Sequence, residues 1–211
     1  MQLSMFPRDE VEAAFQHYWR VGCVEEDWAA WTQLFVPDVF YVDHFWGPLH
    51  GRDEVGTWID AVMKGVPEIY TVLDWYVIDG DRVVFRCENR RDNPADGRAD
   101  AGAGSDADSD GPAYWDFPGL SVLRYAGDGQ WASEEDYWDR SGARRTSEEY
   151  AAACRQAGDP GPLERMTRRH WPDGPDWART DARPAPSWLG RDDLPGITKP
   201  RELRALLGHP A

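Results

Sequence analysis

Apolar residues early in the chain recur at i, i+3, i+4, i+7 and i+8: Val11, Ala14, Phe15, Tyr18 and Trp19. That spacing lays them along one stripe and predicts a helix over 8–21. Pro7 suits its first turn, Asp9 and Glu10 favour its positive end, and Gly22 is placed to stop it. Trp28, Trp31, Leu34 and Phe35 repeat the stripe behind Asp27, a capping residue type, and predict a second helix over 27–35. After Pro37 the pattern changes to alternation, and 39–45 reads as a strand. Phe40, Val42 and His44 share one face of it, Tyr41, Asp43 and Phe45 the other. The first face is apolar except at His44, so it is expected inside, with His44 at its end where a pocket would want a polar group. Gly47-Pro48 turns the chain, and Gly51 opens a third helix whose core face is Val55, Trp58, Ile59 and Val62.

The spans 69–79 and 82–89 predict a hairpin turning at Gly80-Asp81. Val83, Phe85, Cys87 and Asn89 form its apolar face, ending in an amide. Residues 93–112 carry no large apolar side chain and predict a mobile acidic loop. Its Asp-Ala-Asp-Ser-Asp-Gly lacks the spacing and terminal Glu of a helix-loop-helix calcium site. A second hairpin spans 116–125 and 131–139. Helices followed by long antiparallel strands give an α+β domain over 1–140. The tail, 141–211, is irregular and partly helical. A capping box at Thr146–Glu149 predicts a helix over 150–156, and 198–207 predicts another. Spaced Trp171, Trp177 and Trp188 suit a strap packing on the domain or on a neighbouring subunit.

Charge divides the chain in the same place. Residues 1–140 hold 28 acids against 11 bases, while 141–211 hold 10 against 12, within a net charge of −15. So acidic a surface repels nucleic acid and anionic membranes. Cys23, Cys87 and Cys154 show no metal or disulfide spacing, which fits free thiols in a cytoplasmic protein. No run approaches the length of a membrane span, and the N-terminus lacks the pattern of a signal peptide.

Three stretches, Phe15-Gln-His-Tyr-Trp19, Trp31 through Asp43-His44, and Gly51-Arg-Asp-Glu-Val55, resemble in order and spacing the nuclear transport factor 2-like superfamily, most nearly its polyketide-cyclase (SnoaL-like) group. The resemblance covers about residues 8–140 and leaves the acidic loop and the tail outside. It implies a cone: a curved antiparallel sheet around a pocket, closed by three N-terminal helices, often dimeric through the outer sheet face. In the steroid-isomerase branch, a Tyr late in the first helix donates to an oxyanion, the position of Tyr18. The proton-shuttling carboxylate at the first strand's end falls on His44, and the oxyanion acid of the third long strand falls near Ser121. In the cyclase branch an Asp on the final strand is the acid/base. That implies Asp136, with Glu135 and Asp139 as alternatives. The epoxide-hydrolase branch uses an Asp-Arg-Asp set, for which Asp74 and Arg86 are available.

The expectation is therefore a cofactor-independent acid/base enzyme acting on an apolar or polycyclic small molecule by isomerisation, cyclisation or dehydration. His44 would be the general base or acid, Asp136 its partner and Tyr18 the oxyanion donor. Trp46, Trp58, Trp115, Asn89 and Ser121 would contact substrate. Asp43, pointing away from His44, is expected to be structural, through the third helix start or Arg52. The alternatives are a non-catalytic ligand-binding or dimerisation module and an epoxide hydrolase.

Overall fold

The computed structural model describes residues 6–95, 111–166, 169–182 and 185–209. Most of the acidic loop expected at 93–112 lies outside them. Helix α1 (Arg8–Trp19) runs straight into a π-helical turn (Arg20–Val24). Asp27 Oδ1 accepts the Ala30 N–H at 2.9 Å and opens α2 (Trp28–Thr32). The second helix is shorter than its apolar stripe predicts. Leu34 O instead accepts the Trp131 N–H at 2.8 Å, and β1 (Phe35–Asp43) begins at once. The Gly-Pro turn becomes a short strand, β2 (Gly47–His50), antiparallel to β1. Then come α3 (Gly51–Gly65), β3 (Tyr70–Asp79), β4 (Arg82–Asp92), β5 (Tyr114–Gly127) and β6 (Gln130–Trp138).

The six strands lie in the order β2-β1-β6-β5-β4-β3. Every pairing is antiparallel except β1 with β6, which brings the two ends of the domain together as parallel neighbours. Register shifts interrupt the β1–β6, β3–β4 and β5–β6 ladders, and such irregularities increase local twist and bend. The result is a curved, open sheet whose inner face is lined by Val83, Phe85, Leu123, Tyr125 and Trp131 and covered by the stripe of α1. No helix among the described residues is long and apolar enough to cross a membrane.

On β1 the inner and outer faces are the reverse of the expectation. Val39, Tyr41 and Asp43 are buried, whereas Phe40 is 48% exposed and His44 projects outward. Asp43 explains the choice. Its Oδ1 accepts the Phe45 and Trp46 N–H groups at 2.7 and 2.9 Å, and its Oδ2 accepts Trp138 Nε1–H at 3.1 Å. The carboxylate thus closes the turn after the strand from inside, engaging neither the α3 start nor Arg52, whose guanidinium donates to Phe35 O and to Gln33 Oε1.

The tail begins with α4 (Arg140–Gln156), well before the predicted capping box. Asp139 Oδ1 accepts the Ser141 N–H at 2.9 Å, and Thr146 bonds back to Ala143 O inside the helix. After α5 (Pro162–Arg165) and a 3-10 turn (Asp176–Ala178), the chain crosses the domain to α6 (Pro200–Leu206). Trp177 meets Phe15 and Tyr76 edge-on, and Arg169 Nη2 reaches the buried Glu26 at 2.6 Å. The Ile197 N–H donates to Ala61 O at 2.9 Å. Gly65 permits that approach, since a Cβ there would stand 2.2 Å from Ile197 O.

Candidate active site

A cavity of about 1380 Å³ fills the cone, and residues from α1, every long strand, α3, α4 and the strap line it. Strand register fixes its polar floor. Asp43, Asp136, Ser121 and Phe85 form one row across β1, β6, β5 and β4; Tyr41, Glu134, Leu123 and Val83 form the next. Residues in one row share a sheet face, so Glu134 and Asp136 of β6 point inward with Tyr41 and Ser121.

The floor is a connected set of hydroxyls and carboxyls. Tyr18 O–H lies 2.7 and 2.9 Å from the two oxygens of Glu134. Asp136 accepts from Ser121 Oγ–H at 2.5 Å and from Tyr41 O–H, and it is hydrogen-bonded to Glu134. Burial, then the Asp136 charge beside it, pushes the Glu134 carboxyl well above the usual range. Burial also raises Asp136, helped by the Asp43 charge, while Ser121, Tyr41 and Glu134 favour its ionised form and limit the rise to about 6. Two adjacent buried carboxyls cannot both ionise cheaply, so the pair retains a proton well above the usual carboxylate range. An acid poised near neutrality at a cavity floor can give or take a proton.

The SnoaL-like domain model matches residues 11–134. The chain belongs to the SnoaL-like domain family. No curated protein matches it by sequence. Solved structures share the fold at low identity. An epoxide hydrolase of the LEH-like type from M. tuberculosis is 15% identical, with 72% of this chain and 95% of that one covered and a TM-score of 0.50. A Catenulispora acidiphila protein of ketosteroid isomerase-like fold, solved with trimethylamine, is 19% identical, with coverage of 66% and 92% and a TM-score of 0.48. An NTF2-like protein of unknown function from Burkholderia pseudomallei is also 19% identical, with coverage of 65% and 96% and a TM-score of 0.49.

Within this SnoaL-like domain, Asp136, Tyr18, Ser121, Asn89, Trp46 and Trp58 all line the cavity. His44 does not. Its Nε2 pairs with Glu135 Oε1 at 2.8 Å and its ring stacks on Tyr137 at 4.3 Å on the outer face, with 49% of the side chain exposed. It cannot be the cavity's base, and Asp136 cannot be its partner; the reversed face of β1 is the cause. Trp115 stands outside the cavity wall and meets Tyr150 edge-on. Asp74 and Arg86 pair with each other on the outer face, so the carboxylate-arginine set of the hydrolase alternative is not in the cavity. Asp139 caps α4 and Glu135 faces out, which leaves Asp136 as the inward one of the three candidates.

Glu134 and Tyr41 were missed. Period-2 alternation from Asp136 would have put Glu134 on the same face. Tyr41 carried no such signal, because both faces of β1 bear aromatics. Gly119 is part of the site by its smallness: a Cβ there would stand 3.1 Å from Cys87 Sγ and 3.2 Å from Asn89 Nδ2.

Proposed function

We propose that this protein is a cofactor-independent acid/base enzyme, of the isomerase, cyclase or dehydratase type, acting on an apolar, oxygen-bearing polycyclic small molecule. The observation that carries the reading is the Asp136 carboxyl at the cavity floor, held by Tyr41 and Ser121 beside Glu134, where burial pushes it up to about 6. Aromatic walls with few convergent polar groups suit such a ligand. Trp28, Trp31 and Trp58 line the same space, and their indole N–H groups meet no acceptor among the described residues.

In this scheme ionised Asp136 removes a proton from a carbon acidified by a neighbouring carbonyl. The same carboxyl, or Glu134 through it, returns a proton at another atom. Tyr18 is a positioning residue here, because its hydroxyl is engaged by Glu134. The rate of proton abstraction should rise with pH through about 6, as the Asp136 base form appears.

Hydrogen-deuterium exchange tests this without knowledge of the natural substrate. Cyclic ketones with acidic α-hydrogens, beta-tetralone first, are incubated with the protein in heavy water and followed by proton NMR. Exchange above the buffer rate, lost in Asp136→Asn, is expected. Exchange at the buffer rate across the panel, with the ketones shown to bind, would make this a binding module.

A further inference from the structure

Beyond the floor, the inner face of β4 continues outward through Cys87 and Asn89 to Arg91, all on the cavity wall. Arg91 lies six positions along the strand from Phe85, whose row holds Asp136, or about 20 Å of backbone. Arg91 has only 6% of its side chain exposed. Its Nη2 donates to Ser147 Oγ at 3.2 Å and its Nε lies 3.5 Å from Glu68 Oε1. Its Nη1 meets no acceptor among the described residues. A buried guanidinium with an unused donor is costly unless something completes its shell.

The surrounding charge is unbalanced in the same sense. Glu68, with 8% exposed, is the carboxylate between Arg91 and Arg165, whose Nη2 is 3.4 Å from the other Glu68 oxygen. Arg165 Nε also meets no acceptor among the described residues. Two cations against one anion leave one positive charge on this wall. Arg144, Arg155 and Lys199 add to it, and Asp159 subtracts. The Tyr150 and Phe117 rings flank the Arg91 guanidinium at 5.6 and 5.8 Å, giving the place an apolar rim. Ser147, Tyr150 and Arg165 belong to the tail, beyond the residues matched by the family model. This end of the cavity is therefore a feature the extension adds to the cone.

The geometry points to Arg91 and Arg165 as a subsite for a carboxylate on the ligand, making the substrate an elongated apolar acid. Its anionic end would sit under α4 while its reacting carbon lies at Asp136. A monoanion matches the single surplus charge of the Arg91–Glu68–Arg165 group. The inference names the substrate class of the proposed enzyme and so rests on that reading for its second half, the position of the reacting carbon.

Pyrenebutyrate and its neutral amide are the probes, with binding read by energy transfer from the cavity tryptophans to pyrene. The wild-type protein should bind the acid at least about tenfold more tightly than the amide. Arg91→Met should bring the two affinities together while still binding the amide, and Glu68→Gln should widen the preference by removing the competing carboxylate. Should Arg91→Met fail to fold, Arg165→Met is expected to weaken acid binding alone. The preference is read by binding alone, so loss of the proton-transfer reading would not remove the subsite. Equal binding of acid and amide by the wild type, or a preference that survives both arginine substitutions, would overturn the proposal.

Discussion

Strand β6 places three carboxyls in a row, Glu134, Glu135 and Asp136, and treats the middle one oppositely to its neighbours. Glu135 points out, where Tyr137 O–H at 2.5 Å and then His44 at 2.8 Å stabilise its charge and lower its pKa. Glu134 and Asp136 point in, where burial raises both, helped by the Asp136 charge at Glu134 and by the Asp43 charge at Asp136. The chemical groups are nearly the same, and one residue of register separates an ordinary surface acid from a proton carrier. The lesson is that pleat, rather than residue type, assigns the chemistry here.

Neutralising each side of the strand breaks that contrast most sharply. Asp136→Asn should lower exchange or turnover by about 10²–10⁴-fold, the usual contribution of a positioned acid or base, whereas Glu135→Gln should leave the rate unchanged. Comparable losses in both would remove the distinction. The same division governs ion pairs. Arg169→Met strands Glu26 in a place where it is 2% exposed and should cost about 3–5 kcal/mol by denaturant unfolding. Stability within about 1 kcal/mol of wild type would mean the buried pair does not anchor the tail.

Proton linkage gives a smaller effect of defined sign. Asp136 holds its proton more tightly when folded, at about 6 against 3.8, so the folded state binds the extra proton between those values. Asp136 should therefore lower stability by on the order of 2–3 kcal/mol as pH rises from about 4 to 6, and the total fall over that range should be smaller by that amount in Asp136→Asn. A curve identical in wild type and variant would show Asp136 unperturbed. Smallest of all, His44→Ala should cost no more than about 1 kcal/mol and leave exchange intact, as its pair with Glu135 lies on the surface.

Where one signal dominated, the chain was readable. On β4, Val83, Phe85 and Cys87 alternate with Arg82, Val84, Arg86 and Glu88, three of them charged, and the inner face follows directly. The stripe of α1 and the cap at Asp27 were equally plain. β1 was not, because Phe40 and Tyr41 give both faces an aromatic, and alternation identifies two faces without saying which is buried. What decides it is Asp43, an acid buried to satisfy three N–H donors, and those donors come from a turn and a distant strand. The start of α4 failed for a related reason: Asp139 and Thr146 are both capping residue types, and only the path out of β6 selects the first. From the sequence, Asp136 could be proposed for the site, but its companions Glu134 and Tyr41 depend on strand register.

Titration of the Asp136 carboxyl carbon decides whether the cavity acid is poised near neutrality. With carbon-13 label on the Asp side-chain carboxyls, the signal that disappears in Asp136→Asn should show a midpoint near 6. A midpoint close to the 3.8 of an unperturbed Asp would contradict the account.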